Sequence, residues 1–380
     1  MFRWYPVVIF LVIALRFVWP LKIRLTARLA TGFFIGIVAL YPVMFRALGI
    51  SPFNPEVNST FLIVLGWLYM SCFFLMGLVL ARDVFLLVTW PVRRGFGEAN
   101  ALFFAVFARL TAPVVLFCMA LAIAAYGVWQ GVRVPDSRTV EISLPALPPE
   151  LDGFTIAHMA DLHASPMLKG PRVQGVVDAM NAMNADIVLI SGDVVDGLPE
   201  VRKDDVAPLA QLSAPLGVYA VTGNHEYYSS YAAWMKKFAE LGVVVLSNSH
   251  TVIEKNGARF VLAGVTDEVA ARFAMPLPDI DAALSGAPDT LPIILLEHRP
   301  GFAAKNAAAG VDLQLSGHTH GGLVRGLDYI IGMFNGGYYS GLYHVDGMEL
   351  YVSNGAGLWL GFSARVGVPS EVTKIILRKR

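Results

Sequence analysis

The sequence predicts an α/β domain that follows a membrane region of four helices. Hydrophobic residues make up 56% of the 380 residues and charged residues 15%, whereas soluble domains average about 45–50% and about 25%. The first 150 residues contain 12 basic and 6 acidic residues and no histidine; the remainder contains 17 basic, 23 acidic and all eight histidines. Strand-like runs alternate with helical patterns only in this second region, which is typical of an α/β sheet protein.

Four apolar runs in the first region each have roughly the length of a membrane-crossing helix, about 20 residues. They cover residues 5–20, 29–44, 61–80 and 103–129. The first is short and carries Arg16, but no small-x-small cleavage site follows it, which favours an uncleaved helix over a secretory signal peptide. We therefore predict a transmembrane anchor over residues 1–132, a linker with the first strand over residues 133–153, and a domain that contains all eight histidines over residues 154–380.

Basic residues near the ends of these runs predict the orientation, because Lys and Arg are in excess on the cytoplasmic side. The loops after the first and third runs lie on one face and contain five basic residues: Lys22, Arg24, Arg28, Arg93 and Arg94. The opposite face contains four: Arg3, Arg46, Arg133 and Arg138. Arg82 would add a sixth to the first face if the third run ended before it. This excess predicts a multi-pass membrane protein with both termini, and with them the histidine-containing domain, on the extracytoplasmic side.

Composition also excludes several classes of protein. The high apolar content argues against a disordered chain, and only two cysteines, Cys72 and Cys118, argue against a disulfide-stapled module. The histidine-containing region has a net charge of −6 and no basic stripe interleaved with aromatic residues, so we expect no nucleic-acid partner.

Eight runs in the second region have the length and β-branched content of strands, and helical patterns separate several of them. Prolines 135, 145, 148 and 149 mark the linker that precedes them. The predicted strands cover residues 154–159, 187–190, 218–221, 243–246, 259–263, 293–296, 313–315 and 349–353, and the helices cover residues 172–184 and 231–241.

Polar side chains follow five of these strands, at the end where open α/β sheets build their sites. Glycine precedes the polar cluster in three of the five, which predicts a tight turn that brings side chains to a common point. Because carboxylate, amide and imidazole groups all recur in this position, we predict a metal centre. The segments are Asp161-x-His163, Gly192-Asp193-x-x-Asp196, Gly223-Asn224-His225-Glu226, Glu297-His298 and Gly317-His318-x-His320.

These five segments resemble the five-block signature of calcineurin-like metallophosphoesterases, and the resemblance spans about residues 140–375. The linker at 144–153, the Gly321-Gly322 pair and the tail at 351–357 resemble the membrane-anchored bacterial subgroup of that family, which implies a protein of the bacterial inner membrane. One departure is Pro369-Ser370-Glu371, where the subgroup tends to have adjacent Pro and Glu. The resemblance implies a four-layer α-β-β-α sandwich for the catalytic domain.

The resemblance also implies two divalent metal ions bridged by Asp193. It assigns the first ion to Asp161, His163 and His320, and the second to Asn224, His298 and His318. Nitrogen and oxygen donors without thiolate fit Mn, Fe or Zn. His318 and His320 would point to opposite faces of a regular strand. They can serve both ions only if the turn at Gly317 breaks the strand.

His225 follows the predicted ligand Asn224, and the resemblance pairs it with Asp196. It is expected to act as general acid or charge stabiliser beside the leaving group. Glu226 is expected to hydrogen-bond behind the site rather than to bind metal. Arg299 adjoins His298 and has two interpretations: it clamps a phosphate oxygen, or it is an arginine that is solvated or paired with a carboxylate.

The sequence thus favours a membrane-bound phosphohydrolase, with phosphodiesters preferred and a phospholipid or other envelope phosphoester as substrate. A lipid-saccharide nucleotide pyrophosphatase is the alternative within this class, and it requires the domain to be cytoplasmic. A non-catalytic membrane receptor or assembly factor that retains the fold is the alternative of another class. The oligomeric state stays open.

Overall fold

The computed structural model describes residues 4–51, 55–90 and 101–380, which form two compact units. One unit comprises Met1–Trp129 with Leu360–Ala364, and the other comprises Gln130–Trp359 with Arg365–Arg380. The domain boundaries at residues 132 and 153 stay a prediction.

The first unit is helical in its described residues. Helix α1 continues into a π-helical turn over Ala14–Val18, and Asn58 caps α3 by accepting the backbone N–H of Thr60 at 2.9 Å. Helices α2, α3 and α5 are long and apolar enough to cross a membrane. The helices are α1 Tyr5–Ile13, α2 Leu25–Ala47, α3 Ser59–Val88, α4 Ala101–Leu110 and α5 Pro113–Val132.

The prediction of four membrane spans is therefore wrong, since the described residues contain three. The first run is helical only over Tyr5–Val18, too short for a hydrocarbon core of about 30 Å at about 1.5 Å per residue. The fourth run is divided before Pro113, whose missing N–H and fixed φ suit the first residue of a helix. Arg3, Arg93 and Arg94 lie outside the described residues, and the orientation stays a prediction.

The second unit is built on two six-stranded sheets within the described residues. The first sheet has the order β1-β12-β2-β3-β4-β5 and the second β10-β11-β9-β8-β7-β6. The strands of the first sheet are β1 Asp136–Leu144, β2 Thr155–Met159, β3 Ile187–Ser191, β4 Val218–Val221, β5 Val244–Val245 and β12 Glu371–Lys379. Those of the second are β6 Ser249–Lys255, β7 Ala258–Gly264, β8 Ile293–Leu296, β9 Leu313–Ser316, β10 Gly341–Val345 and β11 Met348–Val352.

Successive side chains along each strand point to opposite faces of the sheet, so each sheet packs against the other sheet on one face and against helices on the other. In β3, Ile187 and Leu189 pack against the second sheet, while Val188 and Ile190 pack against helices on the outer face. The predicted four-layer α-β-β-α sandwich is confirmed. The remaining helices are α6 Gly170–Asn181, α7 Pro199–Val206, α8 Asn224–Tyr228, α9 Tyr231–Glu240, α10 Ile280–Leu284, α11 Ala303–Ala308 and α12 Asp328–Met333.

The sequence prediction missed β6, β10 and β12. Strands β6 and β10 pair with the strands that directly follow them, whereas β12 pairs with β1 in parallel and with β2 in antiparallel register, more than 200 residues away. A strand whose partners are that distant has little local signal besides its own alternation.

The parallel pairs align the carboxyl ends of the strands that carry the motifs. Strands β2, β3 and β4 are parallel neighbours in the first sheet, and β8 and β9 are parallel neighbours in the second. The segments that follow these five strands therefore emerge at matching edges of the two stacked sheets.

Candidate metal centre

The predicted ligands come together at this edge. Among the described residues, three groups each place one donor atom per residue within 4.8 Å of one another. The groups are Asp161, His163 and His320; His163, Asp193 and His225; and Asp193, His298 and His318. His318 and His320 thus belong to different groups.

Asp193 lies between these groups. Its Oδ2 is 3.2 Å from Nε2 of His298, 3.8 Å from Nε2 of His163 and 3.9 Å from Nε2 of His225. Its Oδ1 accepts the backbone N–H of His225 at 2.8 Å, which fixes the carboxylate. This position is the one that a bridging carboxylate needs.

Two pairs of imidazole nitrogens face each other across the cluster. Nε2 of His163 is 3.2 Å from Nε2 of His320, and Nε2 of His298 is 3.3 Å from Nδ1 of His318. Converging nitrogen lone pairs beside buried carboxylates form a donor set suited to cations. The cluster fits two divalent metal ions, as predicted, and the role of each residue as a ligand stays a proposal.

Five of the predicted ligands have a left-handed backbone, which is uncommon for residues other than glycine. Strand β9 ends at Ser316, and the positive φ of His318 and His320 turns their side chains away from strand alternation. This explains how two histidines two residues apart reach different groups. The φ values are 52° for Asp161, 48° for His163, 53° for Asp193, 70° for His318 and 50° for His320.

Two of the three glycines that precede the ligands are needed because a carboxylate oxygen lies where a Cβ would be, and not because the backbone turns there. A Cβ on Gly317 would lie 2.3 Å from Oδ2 of Asp161, and one on Gly223 would lie 2.2 Å from Oδ1 of Asp193. The expectation of a glycine turn fits Gly192, whose φ is +84°. At the other two, glycine lets the neighbouring carboxylate approach the backbone.

Comparison with known proteins agrees with this geometry. The family profile of the calcineurin-like phosphoesterases matches residues 154–322. The metallophosphoesterase YkuE of Bacillus subtilis (strain 168) is 30% identical over 229 residues, which cover 58% of this chain and 77% of YkuE. The chain belongs to the calcineurin-like metallophosphoesterase family.

Two further similarities differ in strength. A protein of Danio rerio named transmembrane protein with metallophosphoesterase domain is 33% identical over 276 residues. These cover 70% of this chain and 62% of the relative, so the chain spans less than two thirds of that protein's length. The solved 5'-nucleotidase precursor of Thermus thermophilus is 17% identical with a TM-score of 0.36, covering 54% of this chain and 49% of that one.

Within the metallophosphoesterase unit, the segment over residues 353–357 packs against the loop that carries Asp161. Backbone N–H groups of Ala356 and Gly357 donate to the carbonyls of Ala160 and Asp161 at 2.8 and 2.7 Å. A Cβ on Gly357 would lie 2.1 Å from the carbonyl oxygen of Leu162. The segment therefore fits tightly against the loop that carries Asp161.

Arg365 secures this segment, and sequence reasoning missed it. Its fully buried guanidinium donates to the carbonyl oxygens of His320, Asn354 and Gly357 at 3.2, 2.7 and 2.6 Å. Burial lowers the pKa of Arg365 to about 10. The ring of Trp359 packs 4.9 Å from that of His320. No spacing rule connects these residues to the five motifs.

His225 is oriented by Asp196. Nδ1 of His225 hydrogen-bonds to Oδ1 of Asp196, and the side chain of His225 is 16% exposed, whereas those of Asp193 and Asp196 are 3% exposed. Burial lowers the pKa of His225, but the carboxylates of Asp196 and Asp193 outweigh it and raise the pKa to about 9.

Glu226 lies behind the centre, as expected. Its carboxylate accepts the backbone N–H groups of Gly223 and Val194 at 2.7 Å and of Asp193 at 3.1 Å. It therefore joins the loops that follow β3 and β4.

Arg299 is paired with carboxylates, which confirms one of the two interpretations that the sequence left open. Its Nε donates to Asp267 at 2.7 Å, and Nη1 is 3.2 Å from Glu268. The same guanidinium donates to Oδ1 of Asn224 at 3.1 Å, so it borders the cluster. A contact with substrate phosphate stays a prediction.

Proposed function

We propose that the chain is a membrane-bound, metal-dependent phosphohydrolase that cleaves phosphodiesters of a phospholipid or another envelope phosphoester. The observation that carries this proposal is the position of Asp193. Its Oδ2 lies between two groups of histidines, and Nε2 of His225 is 3.9 Å away.

In this proposal Asp161, His163 and His320 hold one ion, Asn224, His298 and His318 hold the other, and Asp193 bridges them. Two divalent ions bound there would supply positive charge to the phosphoryl oxygens and activate a water as nucleophile. The burial of Asp161 and His163 keeps bulk water from competing for the donor atoms.

His225 is proposed to protonate the leaving alcohol. Because its Nδ1 is bound to Asp196, the ring in its cationic form presents the proton on Nε2 toward the cluster. The partial exposure of its side chain lets a substrate oxygen approach this nitrogen from solvent. Asp196 stabilises the imidazolium and fixes the ring plane.

Two features support a lipid-linked diester. Three helices long enough to cross a membrane would hold the chain near lipid headgroups. The region from residue 151 onward has 17 basic and 23 acidic residues, so its net negative charge repels a singly charged diester less than a dianionic monoester. We propose the bacterial inner membrane as location and the extracytoplasmic side for the domain.

Hydrolysis by the purified full chain tests the proposal. In detergent with Mn²⁺, the protein should hydrolyse a chromogenic phosphodiester, and Asp193→Ala and His225→Ala should not. Asp204→Ala removes an exposed carboxylate away from the cluster and should retain wild-type turnover. Absence of turnover on diesters, monoesters and lipid phosphates would contradict the enzyme and favour a receptor that retains the fold.

A topology reporter separates the two substrate classes. If phosphatase fused to the carboxyl terminus is active and a fluorescent protein there is dark, the domain is extracytoplasmic, as proposed. The opposite result would favour the lipid-saccharide nucleotide pyrophosphatase, which requires a cytoplasmic domain.

A further inference from the structure

An exposed apolar surface projects from the phosphoesterase unit at α12. Four side chains there are largely exposed: Tyr329 at 69%, Ile330 at 52%, Met333 at 79% and Phe334 at 69%. We call residues 329–334 the apolar knuckle. Contiguous exposed apolar side chains of this size usually mark a surface that contacts another apolar phase.

The apolar knuckle is exposed although its base is firmly held. Asp328 is buried and its Oδ1 accepts the backbone N–H groups of Gly326 and Tyr329 at 2.9 and 3.1 Å. A Cβ on Gly322 would lie 2.3 Å from Cα of Asp328, so the backbone of α12 packs directly on the segment after His320. The apolar side chains are thus presented by a fixed base.

The segment just before the apolar knuckle lines a cavity together with the first strand of the domain. A polar cavity of about 230 Å³ is lined by Arg325 and Gly321 together with Asp136 and Arg138. Arg325 is four residues before Tyr329, and Asp136 begins β1. The knuckle therefore lies on the side of this unit where the chain enters it.

That entry point is fixed to the end of a helix long enough to cross a membrane. Helix α5 ends at Val132, three residues before β1. Within the phosphoesterase unit, Nε of Arg172 donates to the carbonyl of Val132 at 3.0 Å, and Oγ of Ser370 donates to that of Gln130 at 3.2 Å. Because three residues span only about 10 Å when extended, this side of the unit stays close to the end of α5.

We propose that the apolar knuckle inserts into the lipid interface of the bilayer that holds this chain. Its Tyr and Phe suit the headgroup region, and its Ile and Met suit the acyl boundary. Arg138 and Arg325 of the same cavity have side chains that are 52% and 70% exposed. Each pairs with a buried carboxylate, that of Glu371 or Asp328, and its exposed part can still contact anionic headgroups. The inserted knuckle leads lipid to the segment that carries His320; this consequence rests on the proposed function.

A fluorescent label tests the insertion without reference to catalysis. The full chain with Cys72→Ser and Cys118→Ser receives Met333→Cys, labelled with the polarity-sensitive dye NBD, in phosphatidylcholine–phosphatidylglycerol nanodiscs. We expect blue-shifted emission that doxyl-labelled lipids quench. Val244→Cys is the matched control, because it is 51% exposed on β5, at the opposite edge of the sheet from β1. Water-like, unquenched emission at residue 333 would overturn the proposal.

A second variant tests the consequence for substrate. Met333→Asp with Phe334→Asp should lower hydrolysis of a phosphodiester embedded in vesicles several-fold and leave hydrolysis of a soluble chromogenic diester unchanged. Equal rates of the variant and the wild type on both substrates would show that lipid does not reach the site over the knuckle. If neither substrate is cleaved by the wild type, the proposed function fails, while the label still decides the insertion.

Discussion

Oδ2 of Asp196 lies 3.2 Å from Nδ1 of His163, while Oδ1 of the same carboxylate is hydrogen-bonded to Nδ1 of His225. One carboxylate thus lies against both a proposed metal ligand and the proposed acid, and it is hydrogen-bonded to the acid. The partners of Asp193 and Asp196 overlap at these two histidines, so the acid and the metal centre are built as one network.

Asp196→Asn should lower kcat on a phosphodiester by about 10²-fold or more, the range typical of a general acid. The amide keeps the shape but removes the charge that holds the His225 imidazolium. Steady-state kinetics with metal content from mass spectrometry would measure this. Unchanged kcat at full metal content would contradict the role of Asp196, and His225→Asn is the comparison that should show a similar loss.

Gly317→Ala should destabilise the protein by about 1–3 kcal/mol, the usual cost of overpacking, and should weaken metal binding at the Asp161 group. The added Cβ would lie 2.3 Å from Oδ2 of Asp161. Gly301→Ala is the control, since a Cβ there meets no atom nearer than 4.0 Å. Denaturant unfolding and metal titration would measure both effects. If Gly317→Ala had the stability and metal affinity of the wild type, the loop that carries Asp161 would have moved to accommodate the added Cβ.

Arg365→Lys should destabilise the protein by about 1–3 kcal/mol, because an ammonium cannot reproduce the fork that reaches carbonyls of His320, Asn354 and Gly357. Arg378→Lys is the matched control, since Arg378 is 39% exposed and pairs with Glu141. Thermal unfolding compares the two. Equal melting temperatures for both variants would mean that Arg365 holds the segment less than its contacts imply.

Chelation should lower the melting temperature, and Mn²⁺ should restore it. An ion that binds only the folded state stabilises it by about 2.7 kcal/mol at 100 times its Kd. Asp193→Ala should lose most of this response, because it removes the carboxylate shared by two groups. Asp186→Asn, which lies outside the cluster, should keep the response, and an equal response in both variants would argue against the bridging role.

Asp186 provides a prediction on pH. Burial raises its pKa, but hydrogen bonds from Lys255 and Thr155 outweigh burial and lower it below the usual range. Because the pKa of Asp186 is lower in the folded than in the unfolded protein, its ionised carboxylate stabilises the folded protein at any pH above the unfolded pKa of about 3.9. This contribution disappears as the pH falls through the folded pKa.

Asp186→Asn should therefore lower the melting temperature at pH 7, by the equivalent of about 1 kcal/mol. The difference from the wild type should shrink toward pH 3. Melting curves over this range would measure it. A difference independent of pH would show that the charge of Asp186 contributes nothing and that the hydrogen bonds to Thr155 carry the effect.

The motif residues could be predicted because their signal is local. Asp161, Asp193 and His318 each follow a short strand-like run with apolar residues, and parallel strands bring their carboxyl ends to one edge of a sheet. The membrane spans were less predictable. Apolar content alone does not locate a helix break such as that before Pro113, nor separate a run of 14 helical residues from a full span.

The family, the two kinds of region and the donor types that converge at one sheet edge could all be predicted from local sequence patterns, because each depends on neighbouring residues. The folded chain was needed to show which donors group together, that Asp196 lies against two histidines, and that Arg365 holds the segment behind His320. These relations join residues that are up to about 160 positions apart, and they depend on backbone angles, such as the positive φ of His318, that packing imposes.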